Sequence, residues 1–333
     1  MTLPAMVRLR RSRLDAPGWT RRRAGRGFVY LDEAGRRIDD PEVRAAIAAL
    51  AIPPAWHDVW ICPRPNGHVQ ATGVDAAGRR QYLYHPQWRR RRDRLKHDHV
   101  LEVARRLPAA RRAVRADVRL DGMPRQKALA LAFLLLDLAY LRVGGEGYAV
   151  TNGSFGLATL RREHVRVHAD DTVHLTFPAK SGQVRDTLVD DAEVAPGVRT
   201  LVRRHDDNPE LLAWRDEAGW HDVTSSDVAA YVRERLGGEA TPKDFRTWHA
   251  TVLAARALAD AGPAPASDRA RRRAVTQAVR DVAAELGNTP AVCRASYVDP
   301  RVIDLWERGE HIGPVRTQAA AERATLALLE TSP

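Results

Sequence analysis

The chain has 333 residues, 44% of them hydrophobic and 29% charged, and its 53 lysines and arginines outnumber 42 acidic residues to leave a net charge of +11. That length allows two domains, each with its own core, and that composition excludes a disordered chain. No apolar run reaches bilayer length, the N-terminus lacks the apolar stretch of a secretory signal, and two cysteines, Cys62 and Cys293, make no disulfide framework, so a cytoplasmic location is expected, with nucleic acid the foremost polyanionic partner.

In chain order, GFVYLD (27–32) reads as a strand, and DPEVRAAIAAL (40–50) as a helix opened by Asp40 with Pro41 at its first position. IPPAWHDVWICP gives a proline-bounded link into a strand. HVQATGVDAAGRRQYLYHP alternates twice around a turn at Asp75–Gly78, which predicts a hairpin. The arginine run WRRRRDRLKHDHV then begins a helix, and the domain boundary is placed there: a β-rich domain over 1–93 and a mainly helical one over 94–333. PRQKALALAFLLLDLAYLRVGGEG is apolar on nearly every face and predicts a buried helix, with Arg142 in its last turn and Gly144 and Gly145 at its end. REHVRVHADDTVHLTFPAKSGQVRDTLVD reads as a small antiparallel sheet with Lys180 in its second turn. Helices are expected at roughly 198–206, 208–213, 225–236, 242–261 and 267–286. A short helix follows, in which Thr289 is the cap, Pro290 the first residue, and Tyr297 lies near the end.

Only four of the basic residues are lysines, Lys96, Lys127, Lys180 and Lys243; the other 49 are arginines. Where arginine serves almost every need for positive charge, a retained lysine hints at a compact, titratable ammonium. Taken singly, the residues that could do chemistry each have a plain structural role as well. Arg142 could cap its helix, Lys180 could be a solvated turn residue, and Arg246 could pair with Asp244. Asn288 could be a loop residue and Tyr297 core packing. His97 and His99 share no helix face, RVGGEG lacks the ending of a phosphate-binding loop, and no metal or nucleotide cofactor is expected.

Five segments in order carry a resemblance: IPPAWHDVWICPRPNGHVQATGVDAAGRRQYLYHPQW, LRVGGEGYAVTNGSFGLATLRREHV, FPAKSG, TPKDFRTWHAT and LGNTPAVCRASYVDP. Together, from about Gly27 to Ile303, they resemble the type IB DNA topoisomerases, in particular the compact bacterial and poxvirus-type enzymes. The resemblance implies an α+β clamp around duplex DNA: a β-rich N-terminal domain, and a mainly helical catalytic domain with a small antiparallel sheet. It implies that Tyr297 is the nucleophile, with Arg142, Lys180 and Arg246 around the phosphate. Asn288, nine residues before the tyrosine, stands where poxvirus enzymes have histidine, and Gly145 where they have a DNA-contacting lysine. Gln81, Tyr82 and Tyr84 match a DNA-reading strand, and Tyr148 a backbone contact. The implied activity is relaxation of supercoiled DNA of either sign, through a 3′-phosphotyrosyl link, by a monomer at the nucleoid, without metal or ATP. Two alternatives remain. A tyrosine recombinase would share the nucleophile and cations, but such enzymes usually have a His-x-x-Arg box and a shorter spacing than the 51 residues from Arg246 to Tyr297. A non-catalytic basic DNA-binding protein would not need Tyr297.

Overall fold

The computed structural model of the protein describes residues 8–145, 147 and 153–331. The chain forms two compact units, Met1–Lys96 and His97–Pro333.

In the first unit, β1 (Trp19–Ala24), β2 (Gly27–Leu31), β3 (His57–Ile61), β4 (Val69–Val74) and β5 (Arg80–Tyr84) form one antiparallel sheet in the order β2-β1-β3-β4-β5. Helix α1 (Pro41–Ala49) lays Ile47 on a core of Ile52, Val59, Ile61 and Ala71. Asp40 caps this helix by accepting from the Glu42 and Val43 amides, which the Asp-Pro pair predicts. Strand β1 has no counterpart among the expected elements, because its sequence WTRRRA lacks apolar alternation. What secures it is arginine chemistry: Arg21 donates to the Ile52, Pro53 and Trp56 carbonyls at 3.1, 2.9 and 2.6 Å and stacks on Phe28. The β4–β5 hairpin turns where expected. Asp75 accepts from the Ala77 and Arg79 amides and from the Arg79 and Gln81 side chains, and these bonds hold its carboxyl at about 2.

Helix α2 (Pro86–Val118) begins in the first unit and continues into the second. The second unit is built around α3 (Arg125–Ala139), whose residues from Ala128 to Asp137 are all buried. Around it lie α4 (Val194–Arg203), α5 (Ser225–Leu236) and α6 (Pro242–Asp260), with α7 (Asp268–Leu286), α8 (Pro290–Ser296), α9 (Pro300–Glu307) and α10 (Gln318–Glu330) following in sequence. Strands β6 (Val165–Val167), β7 (Thr172–Pro178) and β8 (Val184–Asp190) make the expected three-stranded antiparallel sheet. A buried ionic cluster ties four helices together. Arg111 of α2 donates to Asp137 of α3 and Glu322 of α10, and His249 of α6 lies 2.8 Å from Asp137. Burial opposes the Asp137 charge, but the bonds to Arg111 and His249 outweigh it and hold the carboxyl well below the usual range.

Two expectations are corrected. Residues 208–213 form no helix. The carbonyls of Asn208, Glu210 and Leu211 turn inward onto the fully buried Arg204 guanidinium instead of joining a helical ladder. The chain then enters a hairpin, β9 (Ala213–Asp216) and β10 (Gly219–Asp222), that the sequence reading did not anticipate. The buried helix α3 stops at Ala139, because Tyr140 takes the left-handed conformation at φ 55°. Arg142 therefore lies beyond the helix rather than in its last turn. Pro300 starts α9, with Asp299 as its cap.

Candidate active site

The segment carrying Arg142 leaves α3 through the turn at Tyr140 and runs beside residues 156–158. Leu157 and Ala158 donate to the Arg142 and Val143 carbonyls at 2.9 and 2.7 Å. The two backbones touch at Gly144 and Gly156. A Cβ on Gly156 would stand 2.5 Å from Gly144 Cα and 2.8 Å from the Arg142 carbonyl oxygen. Lys180 projects from the β7–β8 turn, where a single helical turn spans Lys180–Gly182, and is exposed.

Asn288 and Tyr297 come from the link between α7 and α9. Gly287 closes α7 in the left-handed conformation, φ 60°. Thr289 caps α8 through the Val292 amide, and Tyr297 is the residue immediately after that helix. Its backbone is held from α6, where the Thr251 hydroxyl lies between the Tyr297 carbonyl at 3.4 Å and the Asp299 amide at 3.1 Å.

These separate elements deliver Arg142, Lys180, Asn288 and Tyr297 to one cleft of about 140 Å³, which Gln183, Thr289 and Val292 complete. Arg246, 3% exposed on α6, lies against the nucleophile candidate rather than lining the cleft; its guanidinium carbon is 5.1 Å from the Tyr297 ring centroid. It is oriented by donating to the Tyr140 carbonyl and, at 2.9 Å, to the Leu286 carbonyl. The left-handed turn at Tyr140 thus places Arg142 and anchors Arg246 at once.

Arg142 donates to the Gly287 carbonyl at 3.2 Å and to Asn288 Oδ1. Arginine can only donate, so the amide oxygen of Asn288 must face it, leaving the amide NH2 group available. Among the described residues, Asn288 Nδ2 and Arg246 Nε are both buried without a hydrogen-bond partner. Buried donors of this kind are costly unless something accepts from them, and an anionic ligand in the cleft would do so. Electrostatics point the same way. Burial raises the Tyr297 phenol, but the charges of Arg246, Arg142 and Lys243 overcome that and leave its pKa below the ordinary value. Burial and the like charge of Arg142 push Arg246 down to about 10, which still leaves it charged at neutral pH.

Lys243 escaped the sequence reading as a site residue. Its Nζ lies 5.8 Å from the Tyr297 ring centroid. The signal was present: it is one of four lysines and precedes Arg246 by three residues, the spacing that puts two side chains on one helix face. In the first unit, Gln81, Tyr82 and Tyr84 stand on β5, an edge strand of the sheet. Tyr82 and Tyr84 share a face, stacked with centroids 6.0 Å apart, and Tyr82 is 39% exposed. Gln81 faces the other way and donates to Asp75 at 2.9 Å. Tyr148 lies outside the described residues.

Residues 85–308 match the family model described as eukaryotic DNA topoisomerase I, catalytic core, and residues 27–75 match that of the bacterial DNA topoisomerase IB N-terminal domain. The chain is also similar to a protein of Acanthamoeba polyphaga mimivirus named DNA topoisomerase 1B, 27% identical over 296 residues that cover 87% of this chain and 88% of the viral one. With a β-rich first unit, a mainly helical second unit and these matches over most of its length, the chain belongs to the type IB DNA topoisomerases and is an enzyme of that kind.

Proposed function

We propose that the enzyme relaxes positively and negatively supercoiled duplex DNA by transient cleavage of one strand through Tyr297, as a monomer and with neither metal nor ATP. The observation that carries this reading is the grouping at Tyr297: the tyrosine, its pKa lowered, shares a cleft with Arg142, Lys180 and the Asn288 amide, and Arg246 lies against its ring. In the proposed step, Tyr297 Oη attacks phosphorus, the phenolic proton passes to solvent, and the bond to the 5′ oxygen breaks. A 3′-phosphotyrosyl link holds the bond energy, and the reverse reaction reseals the strand. Arg142 and Arg246 are suited to the negative charge that accumulates on the non-bridging oxygens, and the free amide of Asn288 adds an uncharged donor. The departing alkoxide needs a proton, which an ordinary lysine releases far more readily than an ordinary arginine, and Arg246 points both Nη groups at backbone carbonyls. That assigns Lys180 as general acid. Tyr82 and Tyr84 are assigned to DNA contact on the exposed face of an edge strand, and the nucleoid is the expected place of action.

The test is Tyr297→Phe, assayed on supercoiled plasmid with EDTA and no ATP. The variant should bind DNA like the parent and relax none of it, since only the attacking oxygen is lost. Relaxation by the variant at the parental rate would eliminate Tyr297 as nucleophile.

A further inference from the structure

A turn that carries an exposed lysine at its tip needs something to fix its direction, and strand β8 supplies it shortly after the turn. Arg185 donates from Nη1 to the Glu285 carbonyl and from Nη2 to the Ala139 carbonyl at 3.0 Å. Both carbonyls belong to the last turns of helices, α7 and α3, where no later helical amide is available to take them. One guanidinium therefore joins three elements, and each carries a member of the site close by. Lys180 precedes Arg185 by five residues, Arg142 follows Ala139 by three, and Asn288 follows Glu285 by three. The Arg185 stem also packs by Gly287, whose added Cβ would lie 3.7 Å from Arg185 Cδ; the Gly287 carbonyl is the one that receives Arg142.

The placement is electrostatically expensive. Arg142, Arg185 and Arg246 line the same narrow cavity, and three like charges there repel one another. Two helix C-termini, each with partial negative charge, offset the repulsion at Arg185. Both Nη groups are committed to backbone carbonyls, which fixes the Arg185 guanidinium between the two helix ends.

We infer that Arg185 is a positioning residue: by binding β8 to the ends of α3 and α7 it aims the β7–β8 turn, and with it the Lys180 ammonium, at the leaving 5′ oxygen. This rests on the proposed role of Lys180 as proton donor. Loss of the clasp displaces the donor without removing it, and a displacement of about 1 Å can cost on the order of 10²-fold in rate.

The experiment compares single-turnover cleavage of two duplexes at a site mapped with the parent enzyme. One carries an ordinary phosphodiester, the other a 5′-bridging phosphorothiolate, whose thiolate leaves without a proton. Arg185→Ala should cleave the ordinary duplex about 10²-fold more slowly than the parent and the phosphorothiolate within a few fold of it. Lys180→Ala should show the same pattern. Arg185→Lys, which retains charge and one or two of the carbonyl bonds, should lose about tenfold on the diester with the same rescue, and it carries the test if the alanine variant does not fold. Equal loss on both substrates for the Arg185 variants, with Lys180→Ala rescued, would overturn the positioning role and leave the proton-donor reading standing. An unrescued Lys180→Ala would overturn the proton-donor reading and this inference with it. A parental rate for Arg185→Ala on the diester would also overturn the inference.

Discussion

Tyr297 is a phenol whose acidity is set by a contest. Its burial favours the neutral form, while Arg246, Arg142 and Lys243 favour the phenolate, and the cations win. A lowered pKa means more phenolate at any given pH. The rate of single-turnover cleavage should therefore rise with pH and level off below the value near 10 expected of an ordinary tyrosine. Lys243 contributes by charge from 5.8 Å away, so Lys243→Gln should move that limb to higher pH, whereas Lys243→Arg should leave it in place. A pH–rate profile of the Gln variant superimposable on the parent's would show that Lys243 does not act on the phenol. The sequence allowed Tyr297, Arg142, Lys180, Arg246 and Asn288 to be singled out because each sits in a distinctive local string. Lys243 shares the string of Arg246, and its distance to Tyr297 shows its part; Arg185 stands in ordinary strand sequence, and only its bonds to two helix ends mark it.

At the scale of elements, the site depends on how helices stop and on what runs past their ends. The close passage of residues 156–158 beside 142–144 requires glycine at Gly156, since any Cβ there would meet rigid backbone at 2.5 and 2.8 Å. Gly156→Ala should destabilise the protein by roughly 1–3 kcal/mol, the usual cost of overpacking. It should also slow cleavage by about 10²-fold by displacing Arg142. Gly145→Ala, where an added Cβ meets no atom of the described residues within 4 Å, is the control and should do neither. Urea unfolding and single-turnover cleavage of the two variants measure both effects, and equal behaviour of the pair would refute the close-packing argument. The helices with strong punctuation were legible: Asp40-Pro41 opens α1, and Thr289-Pro290 opens α8. The end of α3 was not, because the sequence offers Gly144 as the stop while Tyr140 adopts the left-handed turn four residues earlier. A tyrosine in that conformation is disfavoured locally. Here its ring lies 4.6 Å from that of His249 and its carbonyl accepts from Arg246, contacts that arise only once α6 is packed.

For the whole molecule, a net charge of +11 makes binding to DNA a matter of counterion release. The logarithm of the binding constant should fall linearly with the logarithm of salt concentration, with a slope of about −0.9 per phosphate neutralised. Affinity measured across a salt series checks this, and a flat response would argue against backbone phosphates as the main contact. By itself the sequence determined the charge, the β-rich and helical halves, the small sheet with a lysine in its turn, and the order of the motifs. These follow from composition, periodicity and turn residues, which act over a few positions. Only the tertiary structure decided that Arg246 lies against the Tyr297 ring, that Arg142 orients the Asn288 amide, and that Arg185 clasps two helix ends to the hairpin. Such contacts join residues from 46 to 146 positions apart, and no local periodicity encodes them. They form because burying α3 brings the ends of several elements together at one place, where unpaired carbonyls and buried guanidinium groups must satisfy one another.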